Sequence, residues 1–235
     1  MVSVEALHAL TAELHAGFLT LAFVCIMVVA ACQIVVRLRN RMPKAFVNIS
    51  IRIRGYMEAA GFVGAVLGVL GLLLSAWTGM YAWTLDALIN DPVIRNKILL
   101  TAFATVLWAG VVFIRSRFGR GLWTCPAMAS LYVVLTFVSF GMVGTVGSMG
   151  AHLRPEGGSA LDPIWSFVGF RVDTIIELST NAAALLAIVS VALLVIALAI
   201  ARRYDLFSVK LGPETCQKHF KWDEPVIVFE APVKK

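Results

Sequence analysis

The stretch AAGFVGAVLGVLGLLLSAWTGMYAW, residues 59–83, decides the fold because it holds no charged side chain over its whole length. A helix needs about 20 mainly apolar residues to cross the hydrocarbon core of a bilayer. Four further runs have the same character, and they are residues 17–36, 98–114, 127–149 and 175–201. The sequence therefore predicts an all-α integral membrane protein with five transmembrane helices, in keeping with 60% hydrophobic residues and a mean hydropathy of +0.86.

Lysine and arginine are distributed unevenly between the two sides of these five runs. Sixteen of the 20 fall between the first two runs, after the third run, or in the tail. The other side holds only Arg95, Lys97, Arg154 and Arg171. Because basic residues close to span ends are retained in the cytoplasm, we expect the N-terminus outside and the C-terminus in the cytoplasm. The chain then divides into a transmembrane bundle, residues 1–201, and a cytoplasmic tail, residues 202–235.

The net charge of +6 indicates a membrane partner and not a nucleic acid. The basic residues are divided among loops and the tail, and they form no basic face with interleaved aromatic side chains. Such charges next to spans attract anionic lipid headgroups. We therefore expect lipids among the partners and no nucleic acid.

Three segments outside the predicted spans have patterns of their own. Residues 3–16 have apolar side chains at helical spacing, which predicts an outer interfacial helix or an extension of the first span. Residues 47–54 alternate apolar and polar side chains, which is typical of a strand in water or of an extended segment lying on headgroups. Residues 163–170 follow a turn signal and include Trp165, which predicts a short interfacial helix.

The positions of the four cysteines can be assigned to the same predicted spans and sides. Cys25 and Cys32 lie within the first run, Cys125 at the inner start of the fourth, and Cys216 in the tail. None lies on the side predicted to be oxidising, so we expect no disulfide. Cys25 and Cys32 are predicted to be buried as small apolar residues.

Three of the four histidines, His8, His15 and His152, fall on the predicted outer side. At 1.5 Å per residue, His15 lies roughly 33 Å above Arg37, and His152 lies roughly 39 Å above Pro126. Both therefore emerge at a similar depth from different helices, as the axial ligands of a b-type haem do. The alternative is that His15 and His152 are interfacial polar residues without a ligand.

Glycines recur every three residues in GMVGTVGSMG, residues 141–150, directly before His152. A face without side chains allows a flat macrocycle or quinone ring to approach the backbone, so Gly144 and Gly147 are candidate cofactor-binding residues. Small residues at this spacing are also common where membrane helices pack together. Both interpretations stay open for this helix, and helix packing is favoured for the glycines of residues 61–71.

Several of these features together resemble a family of small four-helix membrane proteins of unknown function, over about residues 7–165. The resemblance is carried by Leu7-His8, by His15, by Thr78-Gly79 at the outer end of the second helix, and by the segment 147–152 followed by Trp165. The chain departs from the family at three points: Ala9 replaces a proline, Asn96-Lys97 replaces an outer histidine, and the closing motif becomes Gly150-Ala151-His152.

Domains of that family occur with Rieske-type iron–sulfur partners, so the resemblance implies electron transfer. We therefore expect an integral membrane subunit of a respiratory complex in the plasma or inner membrane, binding haem b or quinol through His15 and His152. Asp173 and Glu177, at the outer start of the fifth span, are placed to accept quinol protons. The alternative is a structural or assembly subunit without a cofactor. No triad, phosphate loop or zinc spacing indicates a self-contained enzyme.

Overall fold

A computed structural model describes residues 3–153 and 157–167, together with residue 169 and four isolated positions between 188 and 199. Its regular elements within these residues are all helical. They are α1 (Val4–Arg37), α2 (Lys44–Ala82), α3 (Leu85–Asn90), α4 (Pro92–Phe118), a 3₁₀ helix (Gly119–Thr124), α5 (Pro126–His152) and α6 (Asp162–Phe167). Four of these helical segments are long and apolar enough to cross a membrane: α1, α2, α4 with its 3₁₀ extension, and α5.

Local sequence signals determine where the helices begin. Ser3 caps α1 by accepting the backbone N–H of Ala6 at 3.2 Å, and Thr84 caps α3 in the same way. Asp91 accepts two backbone N–H groups at the start of α4, and a proline occupies the first position of both α4 and α5. Each residue satisfies or removes an N–H group that a helix start would otherwise leave unpaired.

The four long helices alternate in direction, because short connections join their neighbouring ends. We call the end of the bundle that holds His8, His15 and His152 the histidine end. The end that holds Arg54, Arg115 and the 3₁₀ helix is called the basic end. The short helices α3 and α6 both lie at the histidine end.

The long helices pack as two antiparallel pairs, α1 with α2 and α4 with α5, and the pairs meet through α2–α4 and α1–α5 contacts. The core between them contains Leu19, Ile26, Leu72 and the fully buried Trp108. Glycine makes the α1–α2 contact close. A Cβ on Gly64 would lie 3.1 Å from the carbonyl oxygen of Phe18, so the two backbones touch where α2 has no side chain.

The predicted membrane helices are confirmed as far as the structure describes them. The spans 17–36, 59–83, 98–114 and 127–149 each coincide with one of the four long helices, apart from Trp83, which follows the end of α2. Residues 4–16 continue α1 without a break, so the extension of the first span is the correct alternative. A helix also forms at 162–167, as predicted for the segment before residue 170. The fifth span, 175–201, and the tail, 202–235, lie outside the described residues apart from isolated positions.

The prediction of an extended segment before the second span is wrong. Residues 44–58 are the first four turns of α2, with Val47, Ser50 and Glu58 buried and Ile49 and Ile53 exposed. The buried positions recur at helical spacing because this part of α2 continues the contact with α1. The alternation along residues 47–54 therefore does not describe an extended chain.

The expectation of no disulfide is also wrong at one position. Cys125, directly before α5, is disulfide-bonded. Cys25 and Cys32 are free and buried, as predicted. The expectation for Cys125 rested on the redox state of its predicted side, and that side is itself a prediction from the basic residues.

Candidate functional site

The histidine end contains a polar cluster between α1 and α2. We define the α1–α2 polar cluster as His8, Thr11, His15, Ser75 and Thr78. His8 donates its Nδ1 proton to the carbonyl oxygen of Ser75 at 3.0 Å, and the hydroxyl oxygens of Thr11 and Thr78 lie 3.1 Å apart. Thr11, Ser75 and Thr78 are all buried. A polar contact of this kind joins two membrane helices because neither side finds water within the apolar region.

His15 is the deepest histidine of this cluster and is only 9% exposed. Its Nδ1 lies 2.9 Å from the carbonyl oxygen of Thr11, one turn earlier in α1. A carbonyl oxygen only accepts, so Nδ1 must carry the proton. In the neutral imidazole, Nε2 is then unprotonated and can accept a hydrogen bond or bind a metal ion.

Lys97 connects this cluster to the other helix pair. It lies in the second turn of α4 and interacts electrostatically with both His8 and His15. Its Nζ also lies 2.9 Å from the position that a Cβ on Gly150 of α5 would occupy. The absence of a side chain at Gly150 therefore leaves room for the ammonium group beside α5.

His152 lies at the end of α5 in a second group of polar side chains. Its Nδ1 donates to the carbonyl oxygen of Ser148 at 2.8 Å, again one turn earlier in the same helix. Its Nε2 faces Asp162 of α6, 3.4 Å from the carboxylate oxygen Oδ2. His15 and His152 thus share a hydrogen bond from Nδ1 to a carbonyl oxygen one turn earlier in the helix, and in His152 Nε2 also faces a carboxylate.

The two candidate glycines of α5 have different surroundings. A Cβ on Gly144 would lie 3.4 Å from Leu161 and 3.8 Å from the indole of Trp165, so α6 and the residue before it cover this position. Trp165 also donates its indole N–H to the hydroxyl of Ser148 at 2.8 Å. No described atom lies within 4 Å of a Cβ on Gly147, so a flat ligand would meet only the backbone there.

The structure brings some of the predicted site residues together and leaves others apart. His8 meets the Thr78-Gly79 pair, with its ring 3.0 Å from the position of a Cβ on Gly79, whereas His15 lies against Gly71. His152 contacts residues of α5 and α6, whereas His15 faces α2. No described contact joins the imidazoles of His15 and His152, and their joint binding of one group stays a prediction.

Two groups were not assigned a role from the sequence. Lys97 was named only as an outer basic residue and as a departure from the resembled family, although a lysine in the second turn of a membrane helix signals a polar neighbour at the same depth. Glu58 is 7% exposed and forms ion pairs with Arg115 and Arg120 at the basic end. A lone carboxylate at the depth of several arginines is the signal that would have predicted this pairing.

No protein-family model matches the chain, and comparisons with characterised proteins and with solved structures give no match. Within the described residues, no group of three or more His, Cys, Asp or Glu side chains is arranged to hold a metal ion. Axial ligation of haem iron needs only two side chains, so this observation does not bear on it. The function is therefore argued from the residues of the histidine end alone.

Proposed function

We propose that this chain is an integral membrane subunit of a multi-subunit electron-transfer complex, and that the histidine end holds haem b or quinol. The observation that supports this proposal is the Nδ1 hydrogen bond that His15 and His152 have in common. In both, a carbonyl one turn earlier fixes the proton on Nδ1. Histidines that bind metals almost always donate their other ring N–H in this way, because the bond fixes the tautomer and orients the ring.

In a haem complex, His15 and His152 would each bind the iron through Nε2, and the haem would supply one-electron transfer. The open backbone at Gly147 would lie against the macrocycle. Binding at His152 requires the contact between Nε2 and Asp162 to break, and Asp162 then keeps the backbone N–H of Ser159 as its hydrogen-bond donor at 2.7 Å. The free energy lost with this one contact at 3.4 Å is small compared with the free energy of metal ligation.

In a quinol complex, the same unprotonated Nε2 of His15 would accept a hydrogen bond from a quinol hydroxyl. Lys97 supplies a positive charge beside it, which favours an oxygen that becomes negative as the proton leaves. Asp173 and Glu177 remain candidates for receiving that proton. Trp77 and Tyr81, whose rings lie 5.8 Å apart at the same end, are typical of the headgroup level, where quinols enter and leave.

The orientation belongs to the same proposal. The histidine end lies outside, the basic end lies in the cytoplasm, and the fifth span, 175–201, returns the chain so that residues 202–235 form a cytoplasmic tail. The nine described basic residues at the basic end, against Arg95 and Lys97 at the other, support this direction of insertion. We place the complex in the plasma or inner membrane.

The decisive experiment is a reduced-minus-oxidised absorbance spectrum of the protein purified in mild detergent. We expect a b-type band that is lost in His15→Ala and in His152→Ala. His8→Ala is the matched control, because His8 is on the same helix and bonds the carbonyl of Ser75, yet has no part in ligation. If the wild type has no band, or if the band survives both substitutions, the haem assignment is wrong. Extraction of bound quinone from the same samples tests the quinol assignment.

A structural subunit without a cofactor is the second candidate, and the outer face of α2 favours it. Exposed apolar side chains repeat every three or four positions along this helix, with one gap at Ala60. They are Phe46, Ile49, Ile53, Tyr56, Val63, Leu67, Leu70, Leu74, Trp77 and Tyr81. A helix face of this length serves for packing against other membrane helices. This candidate is supported if neither haem nor quinone is found while the chain still purifies with partner subunits.

A further inference from the structure

One face of the first four turns of α2 packs against α1. Ser50, which is buried there, forms a hydrogen bond with the thiol of Cys32. The last turn of α4 meets α2 at Glu58, where Arg115 forms its ion pair. Residues 44–57 of α2 therefore extend about 20 Å beyond that ion pair toward the α1–α2 connection, at 1.5 Å per residue.

The other side of this segment exposes a row of apolar side chains. Phe46, Ile49, Ile53 and Tyr56 are between 38% and 77% exposed. They follow one another at intervals of three, four and three residues, so they lie on one side of the helix. Arg52 is exposed among them. We define the α2 stripe as these five residues.

Exposed basic side chains lie close to the start of the α2 stripe. They are Arg39 and Arg41 in the α1–α2 connection and Lys44 in the first turn of α2. A surface with both apolar and cationic side chains is complementary to an occupant that is apolar and acidic. Acyl chains alone do not match it, because a charged side chain against hydrocarbon is costly.

The tail contains a segment of this complementary character. Residues 222–233, with the sequence WDEPVIVFEAPV, hold three acidic side chains and no basic one. The acidic residues Asp223, Glu224 and Glu230 lie on both sides of the apolar run 226–229. Apolar and acidic side chains are therefore close together in this segment, as they must be to match the α2 stripe.

The tail is also long enough to reach the α2 stripe. α5 ends at the histidine end, so the proposed fifth span, 175–201, on which this step rests, brings residue 202 to the basic end. Between residues 201 and 222 an extended chain covers up to about 70 Å, at 3.3 Å per residue. This reach exceeds the length of residues 44–57 of α2 several times.

We propose that residues 222–233 of the tail bind to the α2 stripe. The apolar run 226–229 lies against Phe46, Ile49 and Ile53, and removal of this apolar surface from water stabilises the contact. The acidic side chains lie near Arg52 and the basic residues of the α1–α2 connection, and these charges determine how the segment is oriented. The tail then occupies a surface that a partner subunit would otherwise contact.

Photocrosslinking within the full chain tests this assignment. The photoreactive residue p-benzoylphenylalanine is placed at Ile49, and trypsin releases residues 222–234 as one peptide, because lysines stand at 221 and 234. We expect a crosslink from position 49 to this peptide. Val63 is the matched control position, because it is an exposed apolar residue of the same helix beyond Glu58, and we expect no such crosslink from it. Phe229→Asp should lower the crosslink yield about tenfold, the change in equilibrium expected when one buried apolar side chain is lost.

Three outcomes overturn the docking. They are a crosslink from position 49 to lipid, a crosslink that runs as a dimer in SDS gels and so joins two copies of the chain, and equal yields from positions 49 and 63. An unchanged yield in Phe229→Asp would also contradict the contact. Because residue 229 lies in the tail and Ile49 is exposed, neither substitution disturbs the packed helices.

The side of the membrane that holds the tail is measured separately, in a background without native cysteines. If Val228→Cys reacts with an impermeant maleimide in intact cells and Arg39→Cys does not, the fifth span is wrong and the tail does not reach the α2 stripe. If the two variants behave alike and no crosslink forms, the fifth span stands and the docking is wrong.

Discussion

Gly71 of α2 lies directly against His15 of α1, so that a Cβ built on Gly71 would come within 2.7 Å of the Cβ of His15. Real Cβ atoms do not approach this closely, and a side chain at Gly71 would push the two helices apart. The same helix also brings Gly68 against Leu19. The position of the buried histidine therefore depends on glycine in the partner helix.

The first prediction concerns this contact. Gly71→Ala should destabilise the protein by about 1–3 kcal/mol, the range for overpacking a tight interior. Gly55→Ala is the control in the same helix, because no described atom lies within 4 Å of a Cβ there, and alanine is the better helix former. SDS-induced unfolding followed by tryptophan fluorescence measures both. Equal stability of the two variants would contradict the close contact.

The second prediction concerns the hydroxyl groups of the α1–α2 polar cluster. Thr78→Val removes the contact with Thr11 and should lower stability by about 0.6–2 kcal/mol, as for other hydrogen bonds between membrane helices. Thr20→Val is the control, because Thr20 is exposed and bonds only the carbonyl of Ala16 in its own helix within the described contacts. The expected change for Thr20→Val is close to zero in the same unfolding assay.

The third prediction concerns the ion pairs that Glu58 forms with Arg115 and Arg120. Glu58→Ala leaves the largely buried Arg115 without its carboxylate and should cost about 3–5 kcal/mol, the usual effect of removing one partner of a buried ion pair. Arg120→Ala should cost about 1 kcal/mol or less, because that side chain is mostly exposed. Thermal unfolding in detergent measures the loss of stability in Glu58→Ala and in Arg120→Ala. A mild effect of Glu58→Ala would mean that water or another anion reaches Arg115.

The fourth prediction concerns orientation. In a background without native cysteines, Leu85→Cys at the histidine end should react with a membrane-impermeant maleimide in intact cells. Arg39→Cys at the basic end should react only after lysis. The disulfide at Cys125 favours an oxidising compartment at the basic end, whereas the arginines favour the cytoplasm. Labelling of Arg39→Cys in intact cells would reverse the proposed topology.

The sequence alone determined the helical class, the four long apolar helices that the structure describes, and the position of His15 and His152 along their helices. These properties are local. Backbone groups in a bilayer must be satisfied within the segment, so an apolar run of sufficient length becomes a helix, and the rise per residue places His15 and His152 along it. Residues 44–58 were missed because a period-2 alternation over eight residues was given more weight than the helical spacing of Val47, Ser50 and Glu58.

Tertiary structure decided which side chains meet. The rotation of a helix about its own axis is determined by packing against its neighbours, and no local pattern specifies it. His15 faces α2 because Gly71 leaves room for it, and the ammonium group of Lys97 fits beside α5 because Gly150 has no side chain. Glu58 is buried where Arg115 of a distant helix pairs with it. These contacts join residues far apart in the chain, so their partners became identifiable only once the helices were packed.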